Sequence, residues 1–480
     1  MTSETRLPRA LRPFSSAQYR RLVVALAASL LSAGAWIVAA AWQVIELGGT
    51  PIDLSIVAVG ASLGLVLAVL IGGVVADRMP QRGILLAIEA ARAVVFAVAG
   101  LLAASGLIEV WHLAALSFVL GVADGFFYPA YSAWLPALLP AEQLLAANGV
   151  EGALRPVAQN AAGPALASVL IAVEGPWLAF LVVGALQVVA IVALAVMRTT
   201  PLRRDLEESD SHPLRQMAVD LRDGFAYLLR TRWLFATLAF SILLVLVVVG
   251  PIEVLIPFAV RDQTGGGAGE FALVLASFGI GGAVGSLLVS SFRLPRRYLT
   301  LMILAWGFGC LPLALIGVTP WLWVMVVATF ACGFLFDAGQ VVWGTLLQRR
   351  VPPAMLGRVS SLDFFVSLAL MPLSMAIAGP VGEWLGLAPA FLIAGAVPPI
   401  LAILTLATAR LGQDELAHPL DDGRMDATQV TGAEAVAGFA PPVDEPHPPR
   451  PAAAGDDGAD AGRAVETDEG RAPPSPGTTP

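Results

Sequence analysis

The chain has no lysine; all 28 of its cations are arginine. A phosphate-cradling P-loop needs its lysine, and pyridoxal chemistry needs one for a Schiff base. ATP-driven work by this chain alone and that class of enzyme are therefore excluded. Cysteine is nearly absent: Cys310 and Cys332 both sit inside hydrophobic stretches, where a thiol serves as a small apolar packing group. Two such residues make neither a disulfide framework nor a zinc-ligand pattern. Four scattered histidines and no HExxH leave no metal site to expect, and no cofactor. Convergent nucleophile and base groups are missing too, so the chain does not read as an enzyme. Charge itself is scarce, at 13% of residues against about 25% in soluble domains.

Hydrophobic residues, at 57%, take its place. They gather in twelve runs, near 21–46, 53–76, 83–105, 111–136, 149–172, 176–197, 233–260, 270–292, 298–318, 320–347, 359–383 and 388–409. A helix crosses the hydrocarbon core with roughly 20 apolar residues, and only helices or closed barrels satisfy their backbone there. The expected fold is all-α, a polytopic membrane protein with twelve transmembrane helices. The first run, Leu22 to Leu47, is longer than a signal-peptide core and lacks a convincing cleavage site, so it reads as a retained helix.

The net charge of −8 misleads, because fourteen acids and four arginines follow Arg410 and leave the body nearly balanced. Arginines cluster on alternate connections: Arg78 and Arg82, then Arg198, Arg203 and Arg204, then Arg293, Arg296 and Arg297, then Arg349, Arg350 and Arg358. The opposite connections hold only Arg261. The positive-inside rule then puts both termini in the cytoplasm. For a bacterial chain that means the inner membrane.

The organisation expected is a cytoplasmic N-terminus over 1–20, a six-helix bundle over 21–197, a linker over 198–232, a second bundle over 233–410 and a tail over 411–480. In the linker, Leu214, Met217, Leu221, Phe225, Leu228 and Leu229 share one helical face, as on an interfacial helix. The tail is acidic and rich in Pro, Ala and Gly, a composition that reads as disordered. The bundles repeat one another. Gly64, Pro80, Asp124, Pro140 and Gly163-Pro164 return as Gly279, Pro295, Asp337, Pro352 and Gly379-Pro380, at offsets of 212 to 216. Parallel repeats of six helices are a transporter architecture.

With these features the chain resembles the major facilitator superfamily, and within it the branch of enterobactin exporters and macrolide-efflux proteins. The stretch GGVVADRMPQRGILL is similar to the superfamily loop G-x-x-x-D-R-x-G-R-R, matching at Gly73, Asp77, Arg78 and Arg82, with Pro80 and Gln81 as departures. FFYPAYSAWLPALLPAEQLLAANG and LLQRRVPPAMLGRVSSLD look typical of the branch. AAGPALAS resembles the fifth-helix motif G-x-x-x-G-P-x-x-G-G, keeping Gly163 and Pro164 with Gln159 at the first Gly. The resemblance implies two pseudo-symmetric halves that rock about a midplane cavity. It also implies a gate where Asp77, Arg78 and Arg82 approach the start of helix eleven near Asp363. Asp363 also fits an S-x-x-D capping box with Ser360.

Acids inside the bilayer carry the remaining functional signal, since a charge there costs about 2.5–3.5 kcal/mol on insertion scales. Asp124 and Asp337 fall at similar depth in helices four and ten, and Glu253 lies between Pro251 and Pro257 in helix seven. Each is a candidate proton-coupling group. Asp124 is alternatively a static partner of Arg92 or Arg155, while Glu89 with Arg92 and Glu151 with Arg155 stand at self-neutralising spacings. Glu253 has no cation on its own helix nearby. Trp36, Gln43, Phe127, Tyr131, Asn160 and Trp343 lie at mid-helix depth as candidate cavity residues for an amphiphilic ligand. The reading is a monomeric, proton-coupled exporter of small hydrophobic molecules, whose partners are the lipid bilayer, its substrate and protons, with no nucleic acid. A lysophospholipid flippase, a siderophore exporter, a non-transporting sensor and a membrane enzyme are its rivals.

Overall fold

A computed structural model describes residues 9–199, 222, 225–292 and 294–420. For Gly73, Asp77 and Arg78 only the helical backbone is described, so their place in a gate lies outside the described residues. The expected interfacial helix before residue 222 and the expected tail from Asp421 onward also lie outside the described residues. Twelve helices long and apolar enough to span a membrane follow in order. The first six are α1 Ala17–Glu46, α2 Pro51–Val69, α3 Gln81–Ala104, α4 Val110–Leu138, α5 Ala146–Glu174 and α6 Pro176–Ala195. The second six are α7 Arg232–Thr264, α8 Ala268–Ser290, α9 Tyr298–Ile316, α10 Leu322–Arg350, α11 Leu362–Trp384 and α12 Leu387–Ala409.

Local chemistry explains the ends. The Ser16 hydroxyl accepts from the Tyr19 N–H (3.3 Å) and starts α1. Thr50 and Asp53 form a capping box ahead of α2, with Pro51 in the first helical turn, where its missing N–H costs nothing. Gly175, the one-residue connection after α5, and Gly386, the second of two residues after α11, take φ of +93° and +91°, a region where a Cβ is strained. A glycine of positive φ thus closes the same helix pair in both halves.

Glycines also set the packing, and they repeat with the halves. In the α2–α4 pair, a Cβ on Gly64 or Gly121 would strike the carbonyl of Phe118 or Ala61. In the α8–α10 pair, Gly281 and Gly333 stand in the same way over Phe330 and Phe278. Small residues let helix backbones approach closely in lipid, where packing rather than hydrophobic burial drives association. These contacts align the halves at offsets of 217 for α2 with α8 and 212 for α4 with α10. Gly64 therefore corresponds to Gly281, and Gly279 instead packs on Asn160 of the other half. Asp337 corresponds to Gly125 rather than to Asp124. Gly333→Val is expected to destabilise the protein by about 1–3 kcal/mol through overpacking, read as earlier thermal unfolding in detergent.

Proline breaks the cavity-lining helices. α5 contains a π-helical segment, Pro156–Ala162, in which the Gly163 N–H reaches back to the Ala158 carbonyl. α7 contains another, Pro251–Leu255. α11 is interrupted at Leu370, where Pro372 follows in the first turn of the next segment. Each proline lacks a donor and crowds the carbonyl four residues earlier.

Two expectations change here. The helix leading into α11 begins at Pro353, not near Ser360, so Asp363 lies inside it and no Ser360–Asp363 capping box forms. Pro352-Pro353 starts that helix because proline suits a first helical position. The tail does not begin at residue 411 either. Leu411–Ala417 forms a further helix, α13, with Leu411 and Glu415 buried. Glu415 accepts from the Thr300 N–H and hydroxyl (3.0 and 2.6 Å), and Arg350 pairs with Asp414 at 2.6 Å. The compact unit runs to Leu420.

The halves meet along α2 with α11 and along α5 with α8. At the end of α2 remote from the arginines, the Ile52 N–H donates to Glu383 (3.1 Å) and the Gly379 N–H to the Ser55 hydroxyl (2.8 Å). That end is sealed by direct contact between halves.

Candidate functional site: a cavity between the halves

Three adjoining cavities of about 230, 250 and 240 Å³ share walls; the first two are lined from both halves and the third from the C-terminal half alone. The first is bounded by α1 and α5 on one side and by α7, α8, α9 and α10 on the other. The second reaches into the N-terminal half along α1–α4, and the third into the C-terminal half toward Trp343 and Asp363. Ile37, Gln159 and Glu253 belong to the walls of both the first and the second.

The π-helical segments supply two of these shared residues, Gln159 and Glu253. Pro257 disrupts the ladder at the Glu253 carbonyl, and Pro164 does so at Asn160, each four residues back. Distortions of this kind turn a polar side chain toward a cavity and recur at functional sites. The Glu253 carboxylate has no hydrogen-bond or ion-pair partner among the described residues. The first cavity around it is mostly apolar, with Leu244, Val248, Val249, Ile252 and Phe278 in its wall and Gln159, Asn160 and Thr329 among its few polar residues. Gln159 is held by Arg155, which donates to its amide oxygen (3.4 Å) and pairs with Glu151 (3.1 Å).

The second cavity has an ionic wall. Arg92 is buried and bonds at once to Ser29, Glu89 and Asp124. Glu89 is 1% exposed, and its Oε2 has no partner. The Asp124 side chain remains 47% open and lines the cavity. Of the two cations that the sequence offers Asp124, Arg92 is the one that binds it. The guanidinium also stands over Phe127, 5.1 Å from the ring centroid.

The C-terminal half carries aromatic rings where the N-terminal half carries charge. Trp306 lies 6.5 Å from Phe240 and 6.3 Å from Trp343, which lies 6.2 Å from Trp233. Trp343 donates Nε1–H to Asp363 (3.0 Å), and both line the third cavity.

The remaining sequence candidates scatter. Trp36 lines the second cavity and donates to the Ser117 hydroxyl (3.2 Å), and Asn160 lines the first. Phe127 and Tyr131 stack on each other in a packed cluster outside these cavities, and Gln43 is buried further along α1. Asp337 lies against Gly282 of α8, and the C-terminal half brings it no cation among the described residues. Gly163 and Pro164 pack α5 against α1, with Gly34 opposite. Arg82 donates to the Leu194 and Ala195 carbonyls (3.0 and 2.5 Å), capping the end of α6. Sequence reasoning missed Gln159, Ser32, Ser62, Met371 and Met375 as cavity residues. The signal for Gln159 was its place between Pro156 and Pro164.

A family model described as transmembrane secretion effector matches residues 9–431. The chain belongs to this family of the major facilitator superfamily. Macrolide efflux protein A of Streptococcus pyogenes is 26% identical over 341 residues, covering 69% of this chain and 81% of that protein. Multidrug efflux pump Tap of Mycolicibacterium fortuitum is 26% identical over 397 residues, covering 80% and 94%. Enterobactin exporter EntS of Shigella boydii is 26% identical over 316 residues, covering 65% and 72%. The crystal structure of nucleoside transporter NupG shares the fold at a TM-score of 0.64 and 12% identity, covering 82% of this chain and 98% of that one. The chain is thus a multi-pass membrane transporter with efflux proteins among its relatives.

Proposed function

We propose that the protein exports small hydrophobic or amphiphilic molecules across the bacterial inner membrane in exchange for protons, as a monomer with both termini in the cytoplasm. The observation that carries this reading is Glu253, an unpaired carboxylate in a broken helix at the wall shared by two cavities. In apolar surroundings such a group binds a proton or a cation in place of an ion pair. The cavity walls suit amphiphilic cargo, and together the three chambers fall within the ~300–1,000 Å³ typical of drug-sized pockets. Efflux relatives favour export over uptake.

The seal between α2 and α11 lies away from the arginine-bearing connections, which corresponds to a state closed to the outside. Rocking of the halves would break the Ile52–Glu383 and Ser55–Gly379 contacts and bring the opposite ends together. The broken helices α5, α7 and α11 absorb such a motion, because their prolines already interrupt the ladder. Coupling requires that proton binding favour one of the two states. Reconstituted in vesicles and given a lipophilic dye, the protein is expected to move it against its gradient when a pH difference is imposed. Flux indifferent to that difference would end the antiport reading.

A further inference from the structure

A fourth cavity, of about 590 Å³, lies at the arginine-bearing end of the C-terminal half and shares no lining residue with the other three. Its walls come from the chain entering α7 (Arg230, Arg232, Trp233), the end of α10 (Arg349, Arg350) and the segment after α12 (Asp414, His418). Four arginines and one carboxylate thus line it among the described residues. Arg350 forms the floor. Its side chain is 8% exposed, its guanidinium lies 4.5 Å from the Trp233 ring centroid, and its charge is met by Asp414 at 2.6 Å. Arg232 is steadied by the Thr408 carbonyl of α12 (2.8 Å). Arg230 has no partner among the described residues.

The rigid planar fork of arginine matches a phosphate, and several around one concave site bind it far better than scattered surface cations do. The position says where that phosphate comes from. The pocket sits where three membrane-spanning helices end, at headgroup level. Phe235 and Leu404 continue it along α7 and α12 as lipid-facing apolar surface, 46% and 53% exposed, one turn from Arg232 and Thr408. A soluble anion would have no use for that apolar extension, whereas acyl chains would lie along it. Basic pockets between transmembrane helices hold anionic headgroups for this reason.

We propose that this pocket binds the phosphate of an anionic phospholipid from the leaflet on the arginine-bearing side. Asp414 occupies part of the site and competes with the headgroup for Arg350, so the lipid is linked to the docking of α13.

The test is lipid retention by the full chain, purified in mild detergent and titrated with phosphatidylglycerol or phosphatidylcholine under native mass spectrometry. Phosphatidylglycerol is expected to bind in preference. Arg230→Gln with Arg232→Gln is expected to weaken it about 30-fold, from the typical contribution of two surface arginines. Asp414→Asn is expected to tighten it, a gain that damaged folding cannot mimic. Arg296→Gln with Arg297→Gln, basic residues of the same face outside the pocket, should leave it unchanged. Equal retention of the two lipids, or insensitivity to both pocket variants, would overturn the proposal. Displacement of phosphatidylglycerol by millimolar inorganic phosphate would assign the site to a soluble anion and overturn the lipid assignment.

Discussion

Vesicles carrying the Glu253→Gln protein are expected to equilibrate the substrate but never to concentrate it. With one proton exchanged per cycle, a pH difference of one unit supports about tenfold accumulation. The glutamine variant keeps the side-chain volume and removes the titrating group, so the accumulation ratio falls to about one while exchange between labelled and unlabelled substrate continues. The carboxylate has no partner to lose among the described residues, and the substitution should leave thermal stability unchanged or raised. Accumulation that persists in this variant would move the coupling role to Asp124 or Asp337. Loss of exchange together with accumulation would make Glu253 a cargo ligand instead.

Arg92→Met is expected to cost about 3–5 kcal/mol, because it strands two carboxylates that one buried guanidinium now satisfies. Glu89 is the larger loss, since it is 1% exposed and already has one oxygen without a partner. Asp124, with 47% of its side chain open, is screened by water in the cavity, so Asp124→Asn should cost well under half as much. Adding Glu89→Gln to Arg92→Met should recover much of the loss, and unfolding in detergent measures all four proteins of the cycle. A cost below about 1 kcal/mol for Arg92→Met would show that the cluster does not hold the half together.

These two acids show how far the sequence could be read. Glu253 stands out in the sequence because no cation is near it on its own helix and prolines bracket it, both local facts. The partner of Asp124 was narrowed to Arg92 or Arg155, and no local rule chose between them. The choice depends on how α3 and α5 are rotated against α4. The match of Asp124 with Asp337 failed for a related reason. A repeat offset of 213 differs by one residue from the 212 that glycine packing sets, and one residue turns a helix by about 100°. Asp124 therefore faces Arg92, while Asp337 falls where Gly125 lies in the other half and packs on Gly282. Phe127 and Tyr131 share the face of α4 that carries Asp124 but lie one and two turns farther along it, where a packed cluster closes over them instead of a cavity.

The medium, the twelve crossings, the charge asymmetry of the connections and the duplicated halves were all determined by the sequence alone. Each follows from the length of apolar runs and the placing of arginine, properties that need no knowledge of neighbours. Only the tertiary structure decided which acids stay unpaired, that α2 and α11 close the end remote from the arginines, and that residues 411–420 dock beneath the second half. Those outcomes rest on helix rotation and on contacts between segments hundreds of residues apart, where a shift of one position exchanges a cavity wall for a packed core.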